Sequence, residues 1–383
     1  QARVIDLLGR EQIADSPTAI GELFKNSLDA AASQAWVNYE EQNNLLSIHD
    51  DGLGMRNEDV TNKWLVLATD SSSRSHSEND GWSRYATEKQ QEWLSMPRYG
   101  EKGIGRLSVA LLGRCSILWT VWGSGASKSG TLCLVHWNLF RHPRKLFEDL
   151  PILVEKFHRA PQWSEVKSII SDYAISAEIQ DLIDDQSWDK QFRAEIQGDL
   201  EDISKIDKPD SETLSWKNGT TFHILGLTEH VPELFDKANR ELAPEEEMSS
   251  DYLKAYHAFD TFWDPFHEEH EGRKFKVSAT KDGKSLNSEN RFWAPEDFAQ
   301  CDHHIRIEVN EDGFAKGTVK NYGKKPVTYE KQLTSLPRYS HSPGPFLVEI
   351  GYVQGNRSDS PLPDDIYNTA SARLQHAGGF SIY

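Results

Sequence analysis

Cysteine is scarce. Three occur in 383 residues (Cys115, Cys133 and Cys301), odd in number and without regular spacing. That excludes a disulfide-stapled secreted scaffold and fits a reducing compartment, so the cytoplasm is the expected location. Long apolar runs are missing too: nothing approaches the ~20 residues of a membrane span, and no basic-then-apolar leader opens the chain. Basic residues are outnumbered, 42 Lys and Arg against 60 Asp and Glu, for a net charge of -18. Such a surface repels phosphate backbones, which argues against bulk nucleic-acid or membrane binding by the chain as a whole. A small anionic ligand is not excluded, because backbone N–H groups and one metal ion can hold it against the global field. There are no internal repeats, heptads or low-complexity tracts. Aromatics, by contrast, abound: 12 Trp, 12 Tyr and 16 Phe. Even at a mean hydropathy of -0.64 that is too many for a disordered chain, and the length suits two or three domains.

Residues 1–15 read as a helix or arm. Ser16-Pro17 then reads as a helix start, with Ser at the cap and Pro in the first turn, and the helix is expected to continue to Ser33. Its apolar positions Ile20, Leu23, Phe24, Leu28 and Ala31 keep helical spacing, while Glu22, Asn26, Asp29 and Ser33 line the opposite stripe. Two strands follow, Ala35–Tyr39 and Leu45–His49, and then a short helical piece over about 58–67. Residues 69–98 are polar and read as a long loop or lid. A glycine-rich segment opens a helix over Leu107–Leu112, and strands are expected at Cys115–Trp122, Thr131–Asn138 and Thr220–Leu225. An acidic helical stretch over about 155–215 reads as an insertion. Residues 228–265 read as helical. Beyond Lys274 strands recur at Lys274–Thr280, His304–Val309, Phe314–Tyr322 and Phe346–Tyr352. The last six residues, Gly378–Tyr383, read as an incipient strand; with Gln1 at the start, the chain is expected to be part of a longer protein.

Four segments carry chemistry when read together. Glu22 and Asn26 lie one turn apart on the helix stripe, with Asp29 beyond. A neutral amide oxygen can ligate Mg²⁺, which commonly keeps only one or two protein ligands, and a neighbouring carboxylate can take a proton from an attacking water. Asp50-Asp51-Gly52-Leu53-Gly54-Met55 ends a strand. A carboxylate there accepts hydrogen bonds only, so it takes an exocyclic amine and refuses a carbonyl, and the two glycines let backbone pass close to a flat ring. Gly100-Glu101-Lys102-Gly103-Ile104-Gly105-Arg106-Leu107 offers backbone N–H groups ahead of a helix to phosphate oxygens. It has neither the Gly-Lys-Ser/Thr ending of a P-loop nor the spacing and βαβ context of a dinucleotide loop. Asn218-Gly219-Thr220-Thr221 opens a strand with hydroxyls that can fix a carboxylate or a water. Taken singly, these are also a wet helix face, a tight turn, a hinge and plain strand propensity.

Their order is more telling. Glu22–Ala30, Asp50–Met55, Gly100–Leu107 and Gly219–Phe222, in that sequence, resemble the GHKL (Bergerat-fold) ATPase superfamily of type II topoisomerase ATPase subunits, ninety-kilodalton heat-shock chaperones, histidine kinases and MutL proteins. The resemblance implies an α+β fold: a Bergerat-type sandwich with a mixed, mainly antiparallel sheet and helices on one face over residues 1–227, interrupted by the acidic insertion. A transducer-like domain is then expected over 228–383, incomplete at its end. It implies ATP and Mg²⁺, with Glu22 as general base and Asn26 as metal ligand. Asp50 becomes the adenine reader, flanked by Gly52 and Gly54, and residues 100–107 close over the phosphates. Thr220 or Thr221 would support Asp50. Lys102 and Arg106 are candidate phosphate contacts, and Thr69 and Ser71 resemble the segment before the lid in MutL-like members. The wording of Gly100–Arg106 and of Gly378–Tyr383 is most similar to MORC proteins and their prokaryotic relatives. This implies an ATP-dependent homodimer, a DNA or protein partner engaged through regions outside this segment, and no membrane. The transducer lysine of such proteins is not identifiable, although Lys324 and Lys325 are candidates.

Other classes fit less well. An ATP-binding module without hydrolysis is the main competitor, although intact Glu22 and Asn26 speak against it. A histidine kinase would need a phosphoacceptor His upstream of the first motif, and none of the residues before it is His. A scaffold whose client binds the insertion is a third reading. His267-Glu268-Glu269-His270 misses the H-E-x-x-H spacing of a zinc helix by one residue, and Cys301-Asp302-His303-His304 has no second pair at finger spacing. Both read as solvated loops.

Overall fold

The computed structural model describes residues 15–65, 85–95, 108–146, 149–206, 214–239, 259, 275–286, 295–322, 324–333 and 345–377. The first helix, α1, runs Ser16–Asp29. Its cap is Asp15, one residue ahead of the expected Ser16: the carboxylate accepts the Thr18 N–H at 2.9 Å and the Thr18 hydroxyl at 2.6 Å. Pro17 sits in the first turn, where its missing N–H costs nothing. The helix stops at Asp29 instead of Ser33 for two reasons. Ala31 takes a left-handed φ of 56°, and Asp51 accepts the N–H groups of Ser33 (2.7 Å) and Gln34 (2.8 Å). Ile20 and Phe24 are fully buried, each worth about 1.5–3 kcal/mol of transfer free energy.

One eight-stranded sheet organises the first part of the chain. Its strands are β1 (Gln34–Glu40), β2 (Leu45–Asp50), β3 (Gly113–Trp122), β4 (Ser129–His136), β5 (Leu153–Phe157), β6 (Gly219–Leu227), β7 (Lys276–Lys281) and β8 (Lys284–Ser285). The spatial order is β5-β4-β3-β6-β2-β1-β7-β8. Every pairing is antiparallel except β1 with β7. β4 stops two residues before the expected Asn138, in a tight helical turn over Trp137–Arg141. The strand that follows the inserted segment, β6, lies in the middle, between β3 and β2, so the sheet cannot close until residues far apart in sequence have met.

Register divides the side chains between two faces, since paired residues share a face. Asp50, Ile48, Tyr39, Thr220, Phe222 and Thr120 lie on one. Against it pack α1, α3 (Ser108–Leu112) and α7 (His230–Asn239), with the Tyr39 and Phe235 rings 5.3 Å apart. A short helix, α2, spans Glu88–Ser95. His49, Ser47, His223, Trp119 and His136 lie on the other face. There the inserted helices α4 (Trp163–Ala174), α5 (Ala177–Asp184) and α6 (Lys190–Lys205) supply a further layer. Trp163 meets His223 edge-on at 6.4 Å, and the Trp163 indole donates to the Ile206 carbonyl at 3.0 Å. The fold is thus the expected mixed, mainly antiparallel sheet with helices, but with helices on both faces. The segment expected as a mostly helical insertion from about residue 155 opens on an edge strand, β5, before its helices begin.

Charge, as well as apolar area, holds the added layer. Asp199 on α6 takes a bidentate contact from Arg114 (2.9 and 2.7 Å) and one from His136 Nε2 at 3.1 Å. The His136 Nδ1 accepts the Asn138 N–H at 3.3 Å, so the proton sits on Nε2 and donates to the carboxylate. His142 repeats the pattern with Arg144 N and Asp185. Burial holds the pKa of both histidines below the usual range.

Two compact units emerge, residues 1–263 with 273–287, and residues 264–272 with 288–383. The first therefore reaches past the boundary expected at residue 227, since α7, β7 and β8 join it. The second holds a separate antiparallel sheet of order β11-β10-β9-β12, built from β9 (His303–Val309), β10 (Phe314–Lys320), β11 (Val327–Gln332) and β12 (Phe346–Tyr352). Two helices join it, α8 (Pro295–Gln300) and α9 (Asp364–Ala377). Its small core gathers Cys301, Val353, Leu362, Tyr367 and Ala370. β11 and α9 were not expected from the sequence; the run Val327–Gln332 is exposed throughout and carries no apolar face to betray it. The Cys301–His304 group disperses: Asp302 takes the Ser360 hydroxyl and the Gln354 N–H, His303 lies against Tyr322 and Tyr352, and His304 pairs with Glu349. Residues 267–270 lie outside the described residues. Among the described residues, no helix is long and apolar enough to cross a membrane.

Candidate functional site

The centre of the site is the end of β2. Asp50 is 7% exposed. Its Oδ1 accepts the Gly52 N–H at 2.9 Å, and its Oδ2 accepts the Ser27 hydroxyl at 3.2 Å. Burial pushes its pKa up to about 6, against the pull of those hydrogen bonds and with a small further push from the Asp51 charge. The Thr220 backbone N–H is a third donor to Asp50, and a carboxylate with about four lone-pair sites still has room for one more. The carboxylate is thus desolvated, fixed in direction and ready to accept an N–H. Its sequence neighbour Asp51 does different work, holding the turn after α1 through Ser33 and Gln34; only Asp50 belongs to the site.

Three glycines make this end of the sheet possible. A Cβ on Gly54, whose φ is +71°, would lie 2.0 Å from the Val121 carbonyl oxygen, and one on Gly219 (φ +142°) would lie 2.1 Å from that of Asp50. Gly52 would meet the Ala30 carbonyl at 2.8 Å. The first two combine left-handed backbone with close approach, so only glycine fits. Beside them Thr120, fully buried, accepts the Met55 N–H at 2.9 Å and lies 3.1 Å from both the Gly219 carbonyl and the Thr220 hydroxyl.

Above Asp50 lies α1. Successive residues turn by about 100°, so Glu22, Asn26 and Asp29 fall within about 60° of arc. Ser27, next to Asn26, is the residue that reaches down to Asp50. Asn26 is exposed, and its side-chain amide makes no hydrogen bond among the described residues. An amide oxygen in that position suits a hard cation such as Mg²⁺. The Glu22 carboxylate is ion-paired to Lys25 at 2.6 Å, both side chains being partly exposed.

The structure joins Ser27, Asp50, Gly52, Gly54, Met55, Thr120, Gly219 and Thr220 by hydrogen bonds and close backbone approach at the end of β2, while Glu22, Asn26 and Asp29 share one stripe of α1, with Asn26 next to Ser27 in the chain. Thr221 points the other way: it lies on the opposite face, its hydroxyl 2.8 Å from His49 Nδ1. Thr69, Ser71, Gly100, Glu101, Lys102, Gly103, Ile104, Gly105, Arg106 and Leu107 lie outside the described residues. Ser27 and Thr120 were missed in the sequence. Ser27 had a signal, since a small polar residue interrupts the apolar face of α1 opposite a strand-end acid. Thr120 had none, being one hydroxyl in a β-prone run.

A family model described as "Histidine kinase-, DNA gyrase B-, and HSP90-like ATPase" matches residues 14–168. No curated protein resembles the chain closely enough to count as a match. Residues 14–168 thus form a GHKL-type ATPase domain, which implies ATP binding. The match ends before β6, so Gly219 and Thr220 enter the site by the geometry of the sheet alone.

Proposed function

We propose that this chain binds ATP at the end of β2 and hydrolyses it with Mg²⁺. The observation that supports the reading best is Asp50, a buried carboxylate aimed by Gly52 N–H and Ser27, beneath a helix stripe that presents Glu22 and Asn26. Phosphoryl transfer to water needs positioning and charge neutralisation more than covalent help. Asp50 accepts the exocyclic amine of adenine. Gly52 and Gly54 allow the backbone to lie close to the ring. Asn26 would be the protein's oxygen ligand for Mg²⁺, which would supply neutralisation of the charge developing on the phosphates. Glu22 takes the proton of the attacking water, for which it must leave Lys25. Residues 100–107 are proposed to close over the phosphates, with Lys102 and Arg106 as contacts.

On the same reading, closure over nucleotide lets two copies associate, so that ATP shuts a MORC-like clamp and hydrolysis reopens it. DNA, in chromosome upkeep or defence against phage, is the cargo that the motif wording suggests; the net charge of -18 lends it no support. Support for the clamp is the wording of residues 100–106 and the second β unit that follows the ATPase domain. A size measurement with and without a non-hydrolysable ATP analogue tests it, and an unchanged mass refutes the clamp while leaving the nucleotide site.

A second reading, an ATP-binding module that does not hydrolyse, draws on the Glu22–Lys25 ion pair, which occupies the base. Phosphate release by the unaltered chain separates the two, and Glu22→Ala then tests the base. Nucleotide binding survives and phosphate release disappears if Glu22 is the base; normal release from the variant refutes that role.

A further inference from the structure

One rung of the sheet carries a row of polar side chains across four strands: Asp50 on β2 pairs with Thr220 on β6, which pairs with Thr120 on β3, which pairs with Thr131 on β4. All four lie on the face that α1 covers. We propose that Thr120, which touches no nucleotide itself, is a positioning residue for purine recognition. Its hydroxyl locks the Gly54–Met55 turn and the direction of the Thr220 hydroxyl, and so sets the preference for adenine over guanine. The inference rests on the ATP reading and deepens it.

The argument is one of counting. A hydroxyl has one proton and two lone pairs, and Thr120 Oγ1 has three polar neighbours: Met55 N at 2.9 Å, the Gly219 carbonyl at 3.1 Å and Thr220 Oγ1 at 3.1 Å. The Met55 N–H is a donor, so it takes one lone pair. The Gly219 oxygen is an acceptor, so it takes the proton. One lone pair remains, and it accepts the Thr220 hydroxyl. In this arrangement all three neighbours are satisfied in a fully buried place, where an unmade bond is costly. The alternative, Thr120 donating to Thr220, leaves the Gly219 carbonyl without this donor.

The consequence falls on Thr220. With its proton committed to Thr120, its oxygen has only lone pairs left to offer on the Asp50 side. Asp50 and Thr220 then form an acceptor-only pair on adjacent strands. Adenine carries an amino group at position 6 and guanine a carbonyl oxygen there. The pair welcomes the first and repels the second. Without the Thr120 oxygen, the Thr220 proton is free to turn outward, where it can donate to a carbonyl. Discrimination would fall, while Asp50 and the phosphate contacts remain.

The test compares ATP and GTP binding by the full chain with Mg²⁺, by titration calorimetry, for wild type, Thr120→Val and Thr120→Ser. Valine keeps the shape and removes the hydroxyl; serine keeps the hydroxyl. The wild-type preference for ATP should fall about tenfold in Thr120→Val, the worth of about one hydrogen bond, and return in Thr120→Ser. A merely structural Thr120 would change the melting temperature and leave the ATP:GTP ratio alone, and that result, in a folded variant, overturns the proposal. Should Thr120→Val not fold, Thr220→Val carries the same test, because it leaves the Met55 and Gly219 bonds in place: wild-type discrimination in that variant overturns the proposal equally. If wild type binds neither nucleotide, the ATP reading itself fails and takes this inference with it.

Discussion

Replacing Asp50 by asparagine should stabilise the protein while abolishing nucleotide binding. The carboxylate is fully desolvated, and burial lifts its pKa from an ordinary 3.8 to about 6. At about 1.4 kcal/mol per pH unit, that difference means that holding the ionised group in the fold costs about 3 kcal/mol at neutral pH. The amide is a close mimic of the protonated acid. Its oxygen still accepts the Gly52 N–H, and its NH₂ can donate to Ser27 Oγ, which keeps the Leu23 carbonyl (3.1 Å) as a place for its own proton. Most of the 3 kcal/mol should therefore be recovered, an increase in melting temperature of about 6–12 °C for a unit of this size. The sign follows from the raised value. The folded state binds the proton more tightly than the unfolded one, so the penalty is full above about pH 6, shrinks as pH falls and vanishes below 3.8. Thermal melts of both proteins by circular dichroism at pH 7.5, 6.5, 5.5 and 4.5 should show a gap that closes toward acid, and the variant should bind no ATP at any of them. A variant that melts no higher than wild type at pH 7.5, or a gap that does not narrow, refutes the reasoning. Perturbed carboxylates of this kind are kept for what they bind, not for what they add to the fold.

Asp51→Ala should have the opposite effect, lowering stability by about 1–2 kcal/mol in urea unfolding, because the Ser33 and Gln34 N–H groups lose their acceptor. Asp199→Ala should cost about 2–3 kcal/mol by the same assay: the half-exposed Arg114 can turn to water, but His136 is left buried without its carboxylate. In wild type the lowered His136 pKa works against Asp50, since a histidine buried neutral loses stability as pH drops below about 6.5; the difference between wild type and Asp50→Asn cancels that term. Gly219→Ala should give no cooperatively folded protein, since its Cβ would lie 2.1 Å from a carbonyl oxygen in the centre of the sheet; a soluble variant with a normal melt would show that the strand can shift.

The parts of the site legible in the sequence are those whose geometry is local. The spacing of Glu22, Asn26 and Asp29 is a helix period, readable without knowing what the helix covers. The Asp-x-Gly-x-Gly turn is short enough that its glycines announce tight backbone. The start of α1 was off by one residue and its end by four, because both ends are decided by side chains that bond across the boundary: Asp15 to Thr18, and Asp51 back to Ser33 and Gln34. The inserted helices showed their periodicity. Their docking on the second sheet face did not show, because it depends on Asp199 meeting Arg114 and His136 some sixty to eighty-five residues away.

The threonine pair makes the division plain. Motif order gave the resemblance, and the resemblance implied that the strand opening with Gly219-Thr220-Thr221 lies near the Asp50 turn and the acid-and-amide stripe of α1. Which threonine shares the acid's face is a matter of register. Adjacent residues in a strand point to opposite sides, so the pairing of Thr220 with Asp50 sends Thr221 to His49. That choice, like the position of β6 between β2 and β3 and the seating of Thr120 beneath the Met55 turn, was made only when distant strands came together, because hydrogen-bond register is a property of the assembled sheet and not of any one segment within it.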